Sequence, residues 1–394
     1  MGNYKKILIF LFLILLAAAG YFLFFKQEAR EKPNLAQTEN QSKEKLENKL
    51  KKEIGQMLIL GFRGTEYQKN SFIEKSIDNL KIGGVILFDF DAPSSAFPRN
   101  IVNFQQTKQL IAELQKNSEI PLFITIDVEG GLVNRLKPKY GFMKIPSAAD
   151  LGKGSPEETF RIAKALGKEL KDLGINFDFA PVVDLNINPQ NPVIGKLGRS
   201  FSADPKIVVS HAESFINGLK ENNVISSIKH FPGHGSSKAD SHQGITDITN
   251  TYQAEELAPF QELIQKNIAP TVMVAHTINK NLDQQYPATL SRDTIQKILK
   301  ESFGFNGVVV CDDLSMGAIA KNYGLAEAAV KMVEAGCDLI IISNNVATYD
   351  EMLPSKIFEA IFQAVETGKL AASSIDASYQ KIIKLKNDYN ILEL

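Results

Sequence analysis

The sequence predicts a single (β/α)8 barrel of the TIM type, preceded by an N-terminal signal or transmembrane segment. Three observations carry this prediction. Eight short apolar segments alternate with amphipathic helical segments from Met57 onward, several of the apolar segments stop at a titratable residue, and no charge interrupts the chain from Ile7 to Phe25. A doubly wound open sheet is the alternative, but the count of eight strands favours a closed barrel.

The first element, residues 1–25, is predicted to insert into a membrane or to direct export. The uncharged run follows Lys5 and Lys6, and as a helix it would span roughly 28 Å, close to the thickness of the hydrocarbon core of a bilayer. A signal-peptidase site after Ala17–Ala19 is the competing interpretation. Cleavage there would leave the apolar YFLFF on the mature protein, which favours an uncleaved anchor. Both interpretations place the rest of the chain outside the cytoplasm, either membrane-anchored or secreted.

Residues 26–43 form the second predicted element, a polar linker. This stretch is rich in Gln, Glu, Lys and Asn and has little apolar surface to bury. The predicted barrel covers residues 44–394. It opens with a helix, because Leu46, Leu50, Ile54 and Met57 recur at helical spacing.

The predicted strands and helices then follow in alternation. The strands are MLILGF, GVILF, LFITID, INFDFAPVVD, VISSIKHF, TVMVAH, GVVVCDD and DLIIIS. The helices between them include NFQQTKQLIAELQKN, PEETFRIAKALGKEL, HAESFINGL, AEELAPFQELIQ, DTIQKILKESF and LAEAAVKMVEAG.

Composition excludes several classes of protein. The formal net charge is −1, so no nucleic-acid partner is predicted, since such proteins normally carry a basic patch. The two cysteines, Cys311 and Cys337, are predicted to be buried thiols rather than a disulfide framework. The sequence contains no GxSxG elbow, P-loop or GxGxxG pattern, which disfavours a serine hydrolase and a nucleotide-binding enzyme.

Titratable residues at the strand ends are the candidate site, because the active sites of TIM barrels lie at the C-terminal ends of the strands. Three of the five histidines fall between Lys229 and His242, whereas His211 lies in a predicted helix and is expected at the surface. Carboxylates and histidines together suit either metal binding or glycoside hydrolysis. The strand-end residues are Asp127, Asp184, Lys229, His230, His276, Asp312 and Asp313.

Four motifs resemble glycoside hydrolase family 3, and most closely its β-N-acetylglucosaminidase branch. They are IDVEGGLVNR, NPVIGKLGRSFSADP, KHFPGHG followed by DSH, and VVVCDDLSM, in the order that this family has. The resemblance covers nearly the whole chain from Ile54. It implies a retaining mechanism in which Asp312 is the nucleophile, His242 is the general acid and base, and Asp240 orients His242.

The same resemblance implies a set of sugar-binding residues and a carbohydrate substrate, with no cofactor and no metal. Asp313 is expected to be a structural neighbour, and His234 a loop-packing group. Leu132 departs from the family pattern, since many relatives have arginine directly after EGG. The implied binding residues are Asp127, Arg135, Arg199, Lys229 and His230.

Three alternatives remain open at this stage. The first is a metal-dependent hydrolase or lyase that uses His230, His234, His242 and a strand-end aspartate as ligands. The second is a sugar-binding protein without catalysis, and the third is a β-glucosidase or β-xylosidase of the same family. The branch resembled favours N-acetylhexosamine. The predicted export favours cell-wall peptidoglycan fragments or chitooligosaccharides as substrates.

Overall fold

The computed structural model describes the whole chain except residues 1, 32–34, 242–243, 347 and 394. It divides into two compact units, Met1–Lys49 and Leu50–Leu394. The first unit contains helix α1 (Asn3–Glu31) and most of helix α2 (Leu35–Gln56). The second unit contains a closed barrel of eight parallel strands. The predicted barrel fold is therefore confirmed.

All eight predicted strands are present in the barrel, and each neighbours the next in the chain. The order around the barrel is β1-β2-β3-β6-β7-β9-β11-β12, and β12 pairs with β1 to close it. The remaining short strands form two ladders, β4 with β5 and β8 with β10. The strands in chain order are Leu58–Gly61, Gly84–Ile86, Phe123–Ile126, Val128–Gly130, Val133–Asn134, Phe177–Asp178, Ile225–Phe231, Thr246–Asp247, Thr271–Val274, Thr277–Ile278, Val308–Cys311 and Leu339–Ile342.

Burial explains why these segments are strands. Every residue of the eight barrel strands is buried. Parallel sheets are covered on both faces, so their strands have continuous apolar sequences rich in valine and isoleucine rather than alternating ones. The segment VVVC and the segment LIII are examples.

The helices follow the strands as predicted. In α6, for example, Ser155 caps the first turn by accepting from the backbone N–H of Glu158, and Gly174 ends the helix with φ 91°. The segment DTIQKILKESF is a π-helix, Asp293–Ser302. The α-helices α1–α12 are Asn3–Glu31, Leu35–Gln56, Phe72–Leu80, Phe104–Lys116, Ala148–Leu151, Pro156–Leu173, Pro205–Lys220, Ala258–Gln265, Gly317–Ala320, Leu325–Ala335, Leu353–Glu366 and Ala372–Asp388.

The last helix closes the N-terminal end of the barrel. Lys386 is fully buried there, and its ammonium donates to Gln56 Oε1 at 2.8 Å, Gly83 O at 3.0 Å and Pro121 O at 2.7 Å. These three oxygens precede β1, β2 and β3, so one side chain joins the starts of three strands. Burial lowers the pKa of Lys386 to about 7. The three acceptors favour the ammonium form, because a neutral amine would turn its lone pair toward one of them.

The described residues of the predicted polar linker are helical, since α1 continues to Glu31 and α2 begins at Leu35. Two expectations need correction. His211 is buried rather than exposed, because it lies on the α7 face that packs against α6. Cys311 and Cys337 are buried but are joined as a disulfide, with their Cα atoms 5.8 Å apart.

Candidate active site

A cavity of about 430 Å³ opens at the C-terminal ends of the barrel strands. Apolar side chains from several strands and loops, including Phe90, Met273 and Val346, form much of its wall. His242 lies outside the described residues. The other predicted site residues all line this cavity: Asp127, Arg135, Arg199, Lys229, His230, Asp240 and Asp312.

A buried cluster of alternating charges forms one side of the cavity. Lys229 Nζ lies 2.9 Å from Asp127 Oδ1 and 2.6 Å from Glu129 Oε1. Arg199 binds Glu129 with two hydrogen bonds, from Nε at 2.6 Å and from Nη2 at 2.7 Å. Two cations thus balance two carboxylates away from water, which limits the cost of burying them.

Glu129 is a residue that the sequence analysis missed. It sits in the EGG segment, on the short hairpin that β4 and β5 form directly after the third barrel strand. Burial alone would raise the pKa of Glu129, but Arg199 and Lys229 outweigh it and hold that pKa well below its ordinary value. The available signal was its position two residues beyond Asp127 in a motif already assigned to the site.

Asp127 faces the cavity at the edge of this cluster. Burial would raise the pKa of its carboxyl group, but Lys229 and then Arg135 lower it below the ordinary value. Arg135 Nη2 lies 3.4 Å from Asp127 Oδ2. An ionised carboxylate held in place by two cations is a good acceptor for the hydroxyl groups of a sugar.

His230 is held between the guanidinium of Arg199 and the carboxylate of Asp184. Its Nε2 lies 3.1 Å from Arg199 Nη2, and because a guanidinium only donates, Nε2 is the acceptor. Its Nδ1 lies 2.6 Å from Asp184 Oδ2, so this nitrogen carries the proton. Both ring nitrogens are therefore engaged, and the positive Arg199 lies beside the ring. This arrangement disfavours His230 as a metal ligand.

Asp184 organises the turn that follows the fifth barrel strand. Its Oδ1 accepts from the backbone N–H of His234 at 2.8 Å, and its carboxylate also accepts from the His230 N–H at 3.3 Å. Burial would raise the pKa of Asp184, but His230 lowers it below its ordinary value. The residue is fully buried, so its role is to hold the KHFPGHG turn.

Both aspartates after β11 line the cavity, just beyond the end of the strand at Cys311. Asp313 Oδ1 accepts from the backbone N–H groups of Ser315 and Ser343, at 3.0 and 2.9 Å. Burial raises the pKa of Asp313. These bonds tie the end of β11 to the end of β12, in agreement with the expected structural role.

His276 forms a hydrogen bond with the backbone of the same segment. Its Nε2 lies 2.9 Å from Asp313 O, a carbonyl that can only accept, and its Nδ1 lies 2.8 Å from Thr289 Oγ1. The imidazole therefore donates to the backbone next to Asp312. His234 is also buried and contacts Ser237 and Ser241, as expected for a group that packs the loop.

A wider surface depression of about 630 Å³ lies elsewhere and includes Tyr286 and Lys331. Lys331 already donates to the Tyr286 hydroxyl at 3.2 Å. The smaller cavity is the candidate active site, because the ionised and buried groups converge there.

Comparison with known proteins identifies related chains. Residues 49–385 match the model of the glycosyl hydrolase family 3 N-terminal domain. Beta-hexosaminidase A of Pseudoalteromonas piscicida is 32% identical over 333 residues, which are 80% of this chain and 54% of that protein. The beta-hexosaminidase of Idiomarina loihiensis is 36% identical over 308 residues, covering 76% of this chain and 87% of that one.

Among solved structures, a glycoside hydrolase family 3 beta-N-acetylglucosaminidase from Paenibacillus sp. superimposes with a TM-score of 0.79 and 36% identity. The match covers 87% of this chain and 63% of that protein. The chain thus spans little more than half of the Pseudoalteromonas relative and somewhat less than two thirds of the Paenibacillus one. The predicted family is confirmed, and the chain belongs to glycoside hydrolase family 3.

Proposed function

We propose that this chain is an exported, retaining β-N-acetylhexosaminidase that releases terminal β-linked N-acetylglucosamine. One observation carries the proposal: Asp312 and Asp240 line a single cavity with the charge cluster of Asp127, Glu129 and Lys229. Several relatives are named beta-hexosaminidases, which supports N-acetylhexosamine as the sugar.

The proposed reaction proceeds in two displacements. In the first, an Asp312 carboxylate oxygen attacks the anomeric carbon while the bond from that carbon to the leaving oxygen breaks. His242 gives its proton to the leaving oxygen. In the second, His242 takes a proton from water as the water oxygen attacks the anomeric carbon, and the bond to Asp312 breaks.

Histidine suits this double role because its ordinary pKa, near 6.5, allows it to give and take a proton around neutrality. Asp240 orients the imidazole and favours its protonated form. The remaining proposed residues bind the sugar: Asp127, Arg135, Arg199, Lys229 and His230. Of these, Asp127 has the ionised carboxylate at the edge of the cavity and accepts from sugar hydroxyls.

The proposed location follows from the N-terminal segment. The helix over Asn3–Gln27 is long and apolar enough to cross a membrane. A membrane anchor, or a signal segment that is removed, would place the barrel where peptidoglycan fragments and chitooligosaccharides occur. Protease added to intact cells should degrade the barrel, whereas protection until the cells are lysed would contradict export.

The test of the activity compares two chromogenic substrates, nitrophenyl N-acetyl-β-glucosaminide and nitrophenyl β-glucoside. Faster cleavage of the N-acetylglucosaminide is expected, with the β-anomer as the first product seen by NMR. Asp312→Asn should lower kcat on the order of 10⁴-fold, and His242→Ala should lower it by about 10² to 10⁴-fold. Circular dichroism and thermal melting check that both variants fold.

Three outcomes would contradict the proposal. Faster cleavage of the glucoside would assign the enzyme to another substrate class. An α-anomer as first product would exclude the double displacement. Loss of wild-type activity in a chelator would instead support a metal-dependent reaction.

A further inference from the structure

The dyad loop, whose described residues are 238–241, follows the turn that the buried Asp184 holds. Ser241 lies in this loop, between the proposed dyad residues Asp240 and His242. It is only 4% exposed. Its carbonyl accepts from the backbone N–H of Ala318 at 3.1 Å, and its hydroxyl lies 3.3 Å from His234 Nε2. Ser241 thus contacts two separate parts of the barrel mouth, one through its side chain and the other through its backbone.

A chain of hydrogen bonds leads from Asn191 to Ser241, and the orientation of the Asn191 amide decides which group donates in each bond. The Asn191 side-chain oxygen accepts from the backbone N–H groups of Val193 and Ile194, at 2.9 and 3.0 Å. Its amide nitrogen must therefore face the other way, and it donates to Ser237 Oγ at 3.0 Å and to His234 O at 2.7 Å. Asn191 is therefore the donor, and Ser237 Oγ the acceptor, in the bond between them.

The next steps follow from that orientation. Ser237 Oγ accepts from Asn191, and its own hydroxyl proton is directed to His234 Nδ1 at 2.8 Å, a shorter contact than the 3.4 Å to Ala239 O. Because Nδ1 is then an acceptor, the ring proton of His234 is on Nε2. His234 Nε2 therefore donates to Ser241 Oγ.

The surroundings keep His234 in this neutral form. Burial lowers the pKa of His234 to about 4, and the positive Arg199 acts in the same direction, while Asp184 opposes them. Near neutral pH the ring thus holds one proton, and the order from Asn191 through Ser237 and His234 to Ser241 is maintained.

The other contact of Ser241 leads to the nucleophile. Ala318 lies in the short helix Gly317–Ala320, which begins five residues after Asp312. Ser241 therefore joins the dyad loop to the KHFPGHG turn on one side and to the segment after β11 on the other. The proposed mechanism requires the dyad loop and the segment after β11 to keep a fixed position relative to each other.

We propose that Ser241 is a positioning residue, which fixes the acid–base dyad relative to Asp312 through its bonds to His234 and Ala318. This inference rests on the proposed function, because it assigns Ser241 a role in proton transfer to the leaving oxygen. It does not make Ser241 a catalytic residue, since it acts through Asp240 and His242.

The test uses the dependence of the rate on the leaving group. A 2,4-dinitrophenolate leaves without help from an acid, whereas a sugar hydroxyl requires protonation. In the full-length chain, Ser241→Ala should lower kcat/KM for N,N′-diacetylchitobiose about 10 to 100-fold. It should lower kcat/KM for 2,4-dinitrophenyl N-acetyl-β-glucosaminide less than about threefold.

Ser236→Ala is the matched control. Ser236 is buried in the same segment, and among the residues that the structure describes its side chain interacts with Glu256 rather than with His234 or Ser241. This variant should leave both rates near those of the wild type. Ser237→Ala is the second test variant: it removes the donor to His234 Nδ1, so it should also slow the chitobiose reaction selectively.

The outcomes separate the two proposals. Equal losses on both substrates, or a selective loss no larger than in Ser236→Ala, would overturn the role of Ser241. If Ser241→Ala does not fold, the same criterion is applied to Ser237→Ala. A wild-type enzyme that cleaves neither N-acetylglucosaminide would refute the proposed function instead.

Discussion

At the scale of single residues, Lys229 combines a structural ion pair with a place in the candidate site. It is buried and paired with carboxylates, as a structural lysine must be. It also lines the cavity and keeps Asp127 ionised. Its strand-end position predicts the site, but its partner Glu129 lies 100 residues earlier in the chain, and a single sequence does not show that contact.

His211 shows a signal that was available in the sequence. Its ring stacks on Phe201 at 5.4 Å between centroids, and Nδ1 lies 2.8 Å from Thr159 Oγ1. The buried positions Val208, His211, Ala212, Phe215 and Leu219 recur at helical spacing along α7. That spacing places His211 on the inner face. The prediction of a surface histidine was wrong because it followed the polar character of the residue and ignored the helical spacing of the buried positions.

Asp178 allows a prediction about stability. It is fully buried, Oδ1 accepts from Val128 N at 2.9 Å, and Oδ2 has no partner among the described atoms. Burial raises the pKa of Asp178 well above its ordinary value. The folded chain therefore keeps a proton that the unfolded chain releases above about pH 4, and this residue lowers stability as the pH rises through that window.

Asp178→Asn should remove this loss, because an amide keeps the acceptor and carries no charge. At pH 8 the free energy of unfolding in urea should rise by about 1 kcal/mol or more, and the gain should vanish near pH 4. The control is Asp78→Asn, an exposed position on α3, which should show no such dependence. A variant less stable than the wild type at pH 8 would contradict the assignment of a protonated Asp178.

At the scale of elements, the strands were predictable because burial on both faces produces continuous apolar segments. Their ends were less predictable. The fourth predicted strand was expected to continue to Asp184, yet the regular strand covers only Phe177–Asp178. Beyond it the chain rejoins the neighbouring strand at a single bridge, Val182 with Lys229. This departure carries Asp184 under the KHFPGHG turn, an arrangement that depends on tertiary contacts.

The hairpin of β4 and β5 offers a second prediction. Leu132 lies at its turn and is 72% exposed, and it is not among the residues that line the cavity, whereas Val133 is. Leu132→Arg, which restores the residue common in relatives, should change the free energy of unfolding by less than about 0.5 kcal/mol. It should leave kcat/KM for the nitrophenyl N-acetylglucosaminide within about threefold, because the side chain points to solvent.

Val133→Arg is the paired variant for comparison. It places a long cation at the cavity wall and should raise KM for the same substrate strongly. If Leu132→Arg raises KM as much as Val133→Arg does, the turn of the hairpin takes part in sugar binding and the exposure of Leu132 misrepresents its role.

At the scale of the whole molecule, the eight-strand count predicts the barrel, and the barrel predicts which strand ends meet. The periodicity does not predict the loops between strands. The contacts among Asn191, Ser237, His234 and Ser241 arise because the loops after neighbouring strands meet above the barrel. Their spacing in the sequence follows no repeat, so only the folded chain reveals them.

The last prediction concerns the N-terminal segment. The unit Leu50–Leu394 contains the barrel with its core and every described residue of the cavity. A chain without residues 1–43 should therefore fold, remain soluble and keep kcat/KM for the nitrophenyl N-acetylglucosaminide within about threefold of the value for the full-length chain. The full-length chain should sediment with membranes. Replacing Leu13 and Leu16 by Asp should release it without any deletion, since each central charge costs about 2.5 to 3.5 kcal/mol in a spanning helix. An inactive shortened chain with an intact melting transition would show instead that the N-terminal residues contribute to catalysis.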